Sequence, residues 1–346
     1  PACLDALGLL LHYWVLCGWP PKEAQLMVVL IPKKDGGLRP IALFRSLYRL
    51  YSRARSPAAA AWAATHGEGS LCSNASGRWA GDSTWRHQIR AVLQGTPSHR
   101  LDIMLDLQKA FERVPHTHLI QAARQASYPM HLLATSLVAY HWPRRLQYQS
   151  AVSDPIYPTR GIAAGSTTAT YELWLDLRPC LLRIAAISPS VQPTLFVDDL
   201  SLHVQHADEV ETLALALQAA SLAKRTIEDE LGMKFAGDKG CIVASSSTLA
   251  RLAAQHICLQ AEAADSVRRL GVDYHLQSVA SSRTDQLTTH WARVASARAR
   301  TRKLLRTFPG GAPGIFVAGI LPHALHGVEH YAPSDKHVLH LRRAAV

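Results

Sequence analysis

Apolar and polar positions recur along the chain with two periods, and these predict a succession of short strands and amphipathic helices. Residues 26–31 (Leu-Met-Val-Val-Leu-Ile) form a short apolar run halted by Pro32, the pattern of a buried strand. Lys33-Lys34-Asp35-Gly36-Gly37 reads as a turn, because Asp and two glycines accept unusual backbone angles, and a second extended piece follows at Leu38–Leu43. Together they predict a hairpin with a basic tip. From Arg45 to Ala64, apolar residues recur at helical spacing (Leu47, Leu50, Tyr51, Ala54) with Arg45, Arg49 and Arg53 on another face. This predicts a helix, with an interruption expected at Pro57. Residues 65–82 are rich in Gly and Ser and read as a loop.

Farther on, Leu101, Ile103 and Leu105 alternate with Asp102, Met104 and Asp106, the period of a strand that delivers Asp106 at its end. His118–Tyr140 has a helical pattern and Leu146–Val152 an extended one. The irregular Pro155–Gly165 stretch leads into a long apolar helix from Thr168 to Ile187. Thr194–Val204 reads as two short strands flanking an acidic turn at Asp198-Asp199. A helix over Ala207–Leu231 and a Gly-punctuated strand region up to Val243 follow.

Composition narrows the class. The 346 residues suffice for a large core, and 48% hydrophobic with 18% charged residues is a globular balance. The formal charge of +11 points to a polyanionic partner. Of the 37 cations 28 are Arg, whose planar fork grips phosphate, so nucleic acid is favoured over a membrane surface. The last 64 residues hold ten cations against three acids, and Trp291, Val294, Leu304, Leu305 and Phe308 fall on a helical period among them. A basic amphipathic helix is expected there. Six Cys lie far apart without a Cys-x-x-Cys pair, which argues for reduced, intracellular thiols over a disulfide framework or a zinc ribbon. The His pairs His203/His206, His323/His326 and His337/His340 lack a nearby Cys and read as surface or packing residues. The best apolar run, Leu9–Leu16, is broken by His12 and falls short of the roughly 18 residues of a membrane span. The sequence opens on Pro1, from which a segment of a longer polypeptide is expected.

The chemistry centres on acids in a basic chain. Asp198-Asp199 places two carboxylates side by side, which repel unless cations neutralise them, and carboxylate oxygens suit a hard divalent ion. Asp106, at the end of another strand, would complete a two-ion site for phosphoryl transfer. An isolated Asp-Asp pair is more often a solvated turn, so order and surroundings must decide.

They do, because six segments fall in one order. Pro32-Lys33-Lys34-Asp35-Gly36-Gly37-Leu38-Arg39-Pro40-Ile41 resembles the fingers motif of reverse transcriptases, in particular those of non-LTR (LINE-like) retrotransposons. Asp106-Leu107-Gln108-Lys109-Ala110-Phe111-Glu112-Arg113-Val114-Pro115-His116 resembles the first catalytic motif of that family, and Phe196-Val197-Asp198-Asp199 the second. Between them, Gly161-Ile162-Ala163-Ala164-Gly165-Ser166 is similar to the template- and dNTP-binding loop. Gly232–Lys239 and Leu270-Gly271-Val272 are similar to the two palm motifs that follow.

The resemblance implies an α+β right-hand polymerase with an antiparallel palm sheet backed by helices. Residues 1–100 would form an N-terminal segment and fingers, 101–118 the first catalytic strand of the palm, 119–160 a fingers insertion, 161–282 the rest of the palm and 283–346 a thumb-like basic region. It implies RNA-templated addition of dNTPs to a DNA primer, with two Mg²⁺ or Mn²⁺ ions held by Asp106 and Asp198, helped by Asp199 and the Leu107 carbonyl. Lys33, Lys34 and Arg39 would clamp the triphosphate. Phe111 would be the aromatic gate that fills the space of a ribose 2′-hydroxyl, and Lys239 a general acid for pyrophosphate. Ala164, Gly165, Ser166 and Phe196 would belong to the substrate surface. Two departures stand out: Ala164 replaces the usual Gln, and Glu112 stands where Asp is commoner. Neighbouring domains of a polyprotein, a nuclear location and no membrane partner are also implied. A group II intron maturase, an RNA-dependent RNA polymerase and a catalytically dead RNA-binding copy remain as alternatives, with Phe111 against the second and the intact Asp106, Asp198 and Asp199 against the third.

Overall fold

A computed structural model of the chain describes residues 2–33, 36–66, 80, 82–84, 99–270, 272–274, 279–326 and 339. Helix α1 (Ala2–Cys17) contains the Leu9–Leu16 run, and no helix among the described residues is long and apolar enough to cross a membrane. The basic-tipped hairpin is present: β1 (Leu26–Pro32) and β2 (Leu38–Phe44) pair antiparallel from Leu26 opposite Phe44 to Pro32 opposite Leu38. Lys34 and Asp35, at its tip, lie outside the described residues.

Helix α2 (Ser46–His66) continues past Pro57, against the expected interruption. A proline there strips the Arg53 carbonyl of its helical donor, and the Ser56 hydroxyl supplies one instead at 2.9 Å. The side of α2 carrying Tyr48, Tyr51, Ala59, Trp62 and Ala63 is buried. Trp62 Nε1 donates to the Ala126 carbonyl at 2.8 Å, and its ring packs on Tyr128 and Trp174.

Strand β3 (His99–Asp106) is followed by a single turn, α3 (Ala110–Arg113). The one helix expected over His118–Tyr140 is two, α4 (His116–Gln125) and α5 (Met130–Tyr140). Ser127 turns left-handed (φ 51) and Pro129 lacks the donor to continue, so the chain breaks between them. Strands β4 (Arg144–Tyr148) and β5 (Ala151–Val152) complete a four-stranded sheet in the order β2-β1-β4-β5, with β4 parallel to β1. Helix α6 (Ala169–Ala185) buries Leu173, Trp174, Leu175, Leu177, Leu181 and Ile184, the all-round apolar pattern of a core helix.

The second sheet has the order β6-β7-β3-β8-β9, from β6 (Val191–Phe196), β7 (Asp199–His206), β8 (Cys241–Ala244) and β9 (Glu262–Ala263). β3 pairs antiparallel with β8, Leu101 opposite Ala244. Leu101 to Leu105 are all buried, so both faces of β3 are covered, Asp102 included. Helix α7 (Glu209–Lys224) ends in a wider π-helical turn, Arg225–Glu230. Helix α8 (Ser247–His256) starts at Ser246, whose hydroxyl caps Leu249 N–H at 3.1 Å. A short hairpin, β10 (Val267–Arg269) with β11 (Val272–Tyr274), precedes the long helix α9 (Val279–Thr307).

The basic helix expected near the C-terminus is α9, but its apolar stripe differs from the expectation. Val294, Ala297 and Thr301 are buried, Leu304 packs beside them, and Ala297 clusters with Phe316, Ile320 and Ala324. Leu305 and Phe308 are 41% and 57% exposed. Arg293 is buried instead, donating to the His326 carbonyl at 2.6 Å. The Trp291 side chain lies outside the described residues.

The contacts divide the chain into two compact units. One comprises Pro1–Gly77, Leu105–Leu200 and Ser221–Ala236; the other comprises Arg78–Met104, Ser201–Ala220 and Gly237–Val346.

Candidate active site

The site grows from the end of β3. Leu107 N–H donates to the Asp198 carbonyl at 3.1 Å, so the strand that delivers Asp106 ends beside the turn that carries Asp198 and Asp199. On its other edge, the Asp106 carbonyl accepts from Ala236 N–H at 2.8 Å, and Gln108 N–H donates to Lys234 at 2.7 Å. Residues 106–108 are thus held from both sides by backbone. In extended chain the N–H and C=O of one residue point the same way. The Leu107 carbonyl oxygen therefore faces the acidic turn. Asp106, Asp198 and Asp199 are all half-buried.

The turn itself is strained. β6 and β7 are joined by Val197 and Asp198, and Val197 has φ 58. Positive φ at the first of two linking residues is the pattern of a type II′ hairpin turn, where glycine is usual and a β-branched side chain is an outlier. Strain of this kind concentrates at functional sites. Lys109, just beyond Asp106, is also left-handed (φ 52).

A loop at 161–166 faces this end of the unit's backbone framework through four bonds. Gly161 N–H donates to Val114 (2.8 Å), Ile162 N–H to Phe111 (2.7 Å), and Ala42 N–H to Ala164 (3.1 Å). His116 Nε2 donates to the Gly161 carbonyl at 2.9 Å. Gly161 (φ 86) and Gly165 (φ 128) could hold no other residue: a Cβ would stand 2.5 Å from the Glu112 carbonyl oxygen at the first and 2.3 Å from that of Ala42 at the second. Between the loop and the hairpin lies an apolar cavity of about 210 Å³, lined by Val28, Pro40, Ala42, Ile162 and Ala164, with Glu112 and Arg144 at its wall.

Under the loop is a buried polar chain. Ser166 and Thr168 hydroxyls lie 3.1 Å apart, Thr168 and Ser136 3.2 Å apart, and Tyr140 donates its hydroxyl to Glu172. Burial pushes the Glu172 carboxyl above the usual range. His118 Nδ1 meets the buried Asp176 at 2.8 Å, and that bond raises the His118 pKa. In the second unit, His203 Nδ1 lies 2.5 Å from Asp102, both buried. The sequence reading missed these buried acids. Glu172 and Asp176 were visible as two carboxylates in one otherwise apolar run, and Asp102 as one between Leu101 and Ile103.

Of the sequence-predicted residues, Asp106, Leu107, Asp198 and Asp199 share one strand-end edge. Phe111 is half-buried and tied by its carbonyl to the 161–166 loop that carries Ala164, Gly165 and Ser166; Phe196 is half-buried at the end of β6. Lys33 and Arg39 are exposed on the hairpin. Lys34 lies outside the described residues. Lys239 is exposed on a turn and belongs to the second unit, whereas the three aspartates belong to the first.

A family profile described as reverse transcriptase (RNA-dependent DNA polymerase) matches residues 31–274, which span every element of this edge and loop. The chain belongs to the reverse transcriptase family. No curated protein matches it. Solved structures with a similar fold include apo telomerase from Candida tropicalis (TM-score 0.53, 10% identity, 94% of this chain and 61% of that one). Another is telomerase from the same organism in complex with a TWJ fragment of telomeric RNA (0.52, 11%, 93% and 59%). A third is apo telomerase truncated from its C-terminal domain (0.50, 12%, 74% and 54%). The reverse transcriptase chain described here thus spans little more than half the length of these structures. Its fold is the mixed α+β right-hand polymerase fold, with sheets backed by helices.

Whether the edge suits a cation is read from its donors. Among the described residues no three His, Cys, Asp or Glu side chains are gathered closely enough to grip an ion as they stand. The donor types fit a hard divalent ion nonetheless: three carboxylates and one inward-facing carbonyl, all oxygen, on backbone held in register.

Proposed function

We propose that the chain is the polymerase portion of a retrotransposon-type enzyme that copies RNA into DNA, adding dNTPs to a primer 3′-hydroxyl. The observation that carries this reading is the hydrogen bond from Leu107 N–H to the Asp198 carbonyl, which sets Asp106 beside Asp198 and Asp199 in a reverse transcriptase chain.

Asp106, Asp198 and Asp199, with the Leu107 carbonyl, would hold two Mg²⁺ or Mn²⁺ ions. Such ions, when bound, lower the pKa of an attacking hydroxyl and neutralise a departing pyrophosphate. The remaining work falls to the chain. Lys33 and Arg39, and Lys34 between them, attract the triphosphate from the hairpin. The Gly165 backbone, free of a side chain, lets the nucleotide approach, and Ser166 offers a hydroxyl there. Phe111, fixed against the loop by its bond to Ile162, fills the volume of a 2′-hydroxyl and so rejects rNTPs. Ala164 and Phe196 complete the surface against which the base pair stacks. Lys239 would give a proton to pyrophosphate. The family's non-LTR (LINE-like) branch, polyprotein neighbours and a nuclear location belong to the same proposal.

Primer extension tests the reading. On an RNA template with Mg²⁺, dNTPs should be incorporated far better than rNTPs, and Phe111→Val should admit rNTPs at least tenfold more readily. Unchanged discrimination in Phe111→Val removes it as the gate, and RNA binding without extension by the natural sequence makes the chain a binding protein only.

A further inference from the structure

His116 is the last residue of the motif that Asp106 opens, and it stands half-buried at the start of α4 with Nε2 2.9 Å from the Gly161 carbonyl. A carbonyl only accepts, so Nε2 carries the ring proton and Nδ1 is left with its lone pair. Nδ1 is buried and meets no hydrogen-bond partner among the described residues. A second proton there would be an enclosed N–H without an acceptor. Burial holds the His116 pKa below its ordinary value against the pull of the Gly161 carbonyl, and His141 and Arg144 press the same way as burial. Two rings also set its plane: His141, 4.7 Å away and tilted by 64°, and Tyr140, 6.4 Å away and closer to parallel at 28°. The imidazole is thus a neutral donor of fixed direction.

What it grips is the entrance of the 161–166 loop. Gly161 is buried; its N–H donates to the Val114 carbonyl at 2.8 Å and its own carbonyl accepts from His116. A Cβ at Gly161 would strike the Glu112 carbonyl, so the loop lies directly on the turn that leads to His116. Among the described residues the other hydrogen bonds at Gly161 and Ile162 join backbone to backbone, and His116 supplies the one that depends on a side chain. Without it a buried carbonyl loses its donor, a loss that the loop recovers only by moving. Gly165, exposed and four residues on from Gly161, is where such a movement would be felt.

We infer that His116 is a positioning residue for nucleotide addition: its imidazole holds the Gly161 carbonyl and thereby sets the path of the Ala164–Ser166 backbone against which the incoming dNTP lies. It touches no substrate itself. The inference rests on the polymerase reading, in which this loop carries the nucleotide, and adds a residue that acts through the loop. Small displacements of a positioned substrate are costly, so one lost anchor is enough to be read in kinetics.

The test is single-nucleotide primer extension on an RNA template with Mg²⁺, natural sequence against His116→Leu and His116→Gln; Gln carries an N–H at similar reach, Leu none. His116→Leu should raise the dNTP KM about tenfold or more, with kcat within about threefold and template-primer binding within about twofold of natural, and His116→Gln should bring KM back to within about threefold. Amide hydrogen exchange over residues 161–166, measured on the same proteins without substrate, should be about tenfold faster in His116→Leu and near natural in His116→Gln. An unchanged KM in His116→Leu overturns the inference, as does a raised KM that His116→Gln fails to recover, which assigns the effect to ring packing. Loss of folding, or of kcat alone, in His116→Leu makes the residue structural and overturns it as well. If the natural sequence binds RNA and extends nothing, the polymerase reading fails while exchange still decides the grip: faster exchange in His116→Leu, reversed in His116→Gln, upholds it, and unchanged exchange overturns it.

Discussion

Strands β3 and β7 each carry chemistry at two levels, and the fold treats the two oppositely. In mid-strand, Asp102 of β3 and His203 of β7 are both buried and lie 2.5 Å apart. Four residues on, Asp106 ends β3, and four residues before His203, Asp199 begins β7; these, with Asp198, stay half-buried. The same residue type is enclosed in one place and accessible in the other. What differs is access. A buried carboxylate must find its partner inside the protein, whereas one at a strand end keeps solvent within reach and can exchange it for a ligand. The strained Val197 belongs to the second level, where a turn is held in a shape that its sequence disfavours.

This contrast can be broken in order of effect. Asp198→Ala should lower primer extension by about 1,000-fold or more, the scale of losing transition-state charge stabilisation. Its unfolding free energy from urea titration should stay within about 0.5 kcal/mol of the natural protein, as for a partly exposed position. Collapse of stability in place of activity would reverse the roles assigned to the two levels. His203→Ala should do the opposite, losing about 3 kcal/mol by leaving the buried Asp102 without its histidine, while activity per folded molecule stays within about twofold of natural. Measured by unfolding and active-site titration together, a large loss of activity in folded His203→Ala would draw the mid-strand pair into the chemistry.

Smaller changes sharpen the same point. Val197→Gly relieves a left-handed β-branched residue but adds chain entropy to the unfolded state, for a net gain of about 0.5 kcal/mol. If the strain serves to aim Asp198, extension should nonetheless slow severalfold. An unchanged rate would make the strain incidental. Glu172 supplies a pH test. Burial raises its pKa, so the folded state keeps a proton that the unfolded state releases. Its favourable contribution is complete below the unfolded pKa and is lost as pH rises through the folded one. Glu172→Gln should therefore gain stability relative to the natural protein as pH climbs above about 4.5, the ordinary value. A constant difference across pH would show that folding leaves the Glu172 pKa unshifted.

Much of the site was legible from period and punctuation. Alternation placed Asp106 at the end of a strand, and the glycines of the hairpin and of the 161–166 loop marked turns that the structure contains. What stayed hidden depends on contacts distant in sequence or on single dihedrals. Period-two patterning carries no sign of the positive φ at Val197. Glu172 reads as the polar position of a helix until Tyr140, from another helix, is seen to donate to it. Pro57 reads as a breaker because the neighbouring Ser56 hydroxyl that replaces the missing donor has no signature of its own. In α9 the exposed Leu305 and Phe308 fit the apolar period as well as the buried residues do, and only the packing of Phe316 and Ile320 on Ala297 selects the true stripe.

The most direct measurement is single-turnover primer extension on an RNA template with Mg²⁺, by the natural sequence and by Asp198→Asn, with template-primer binding recorded in the same samples. The expected result is extension by the natural sequence, and binding without extension by the variant. Equal extension by both, or binding by both with extension by neither, contradicts a catalytic acidic edge at Asp106, Asp198 and Asp199.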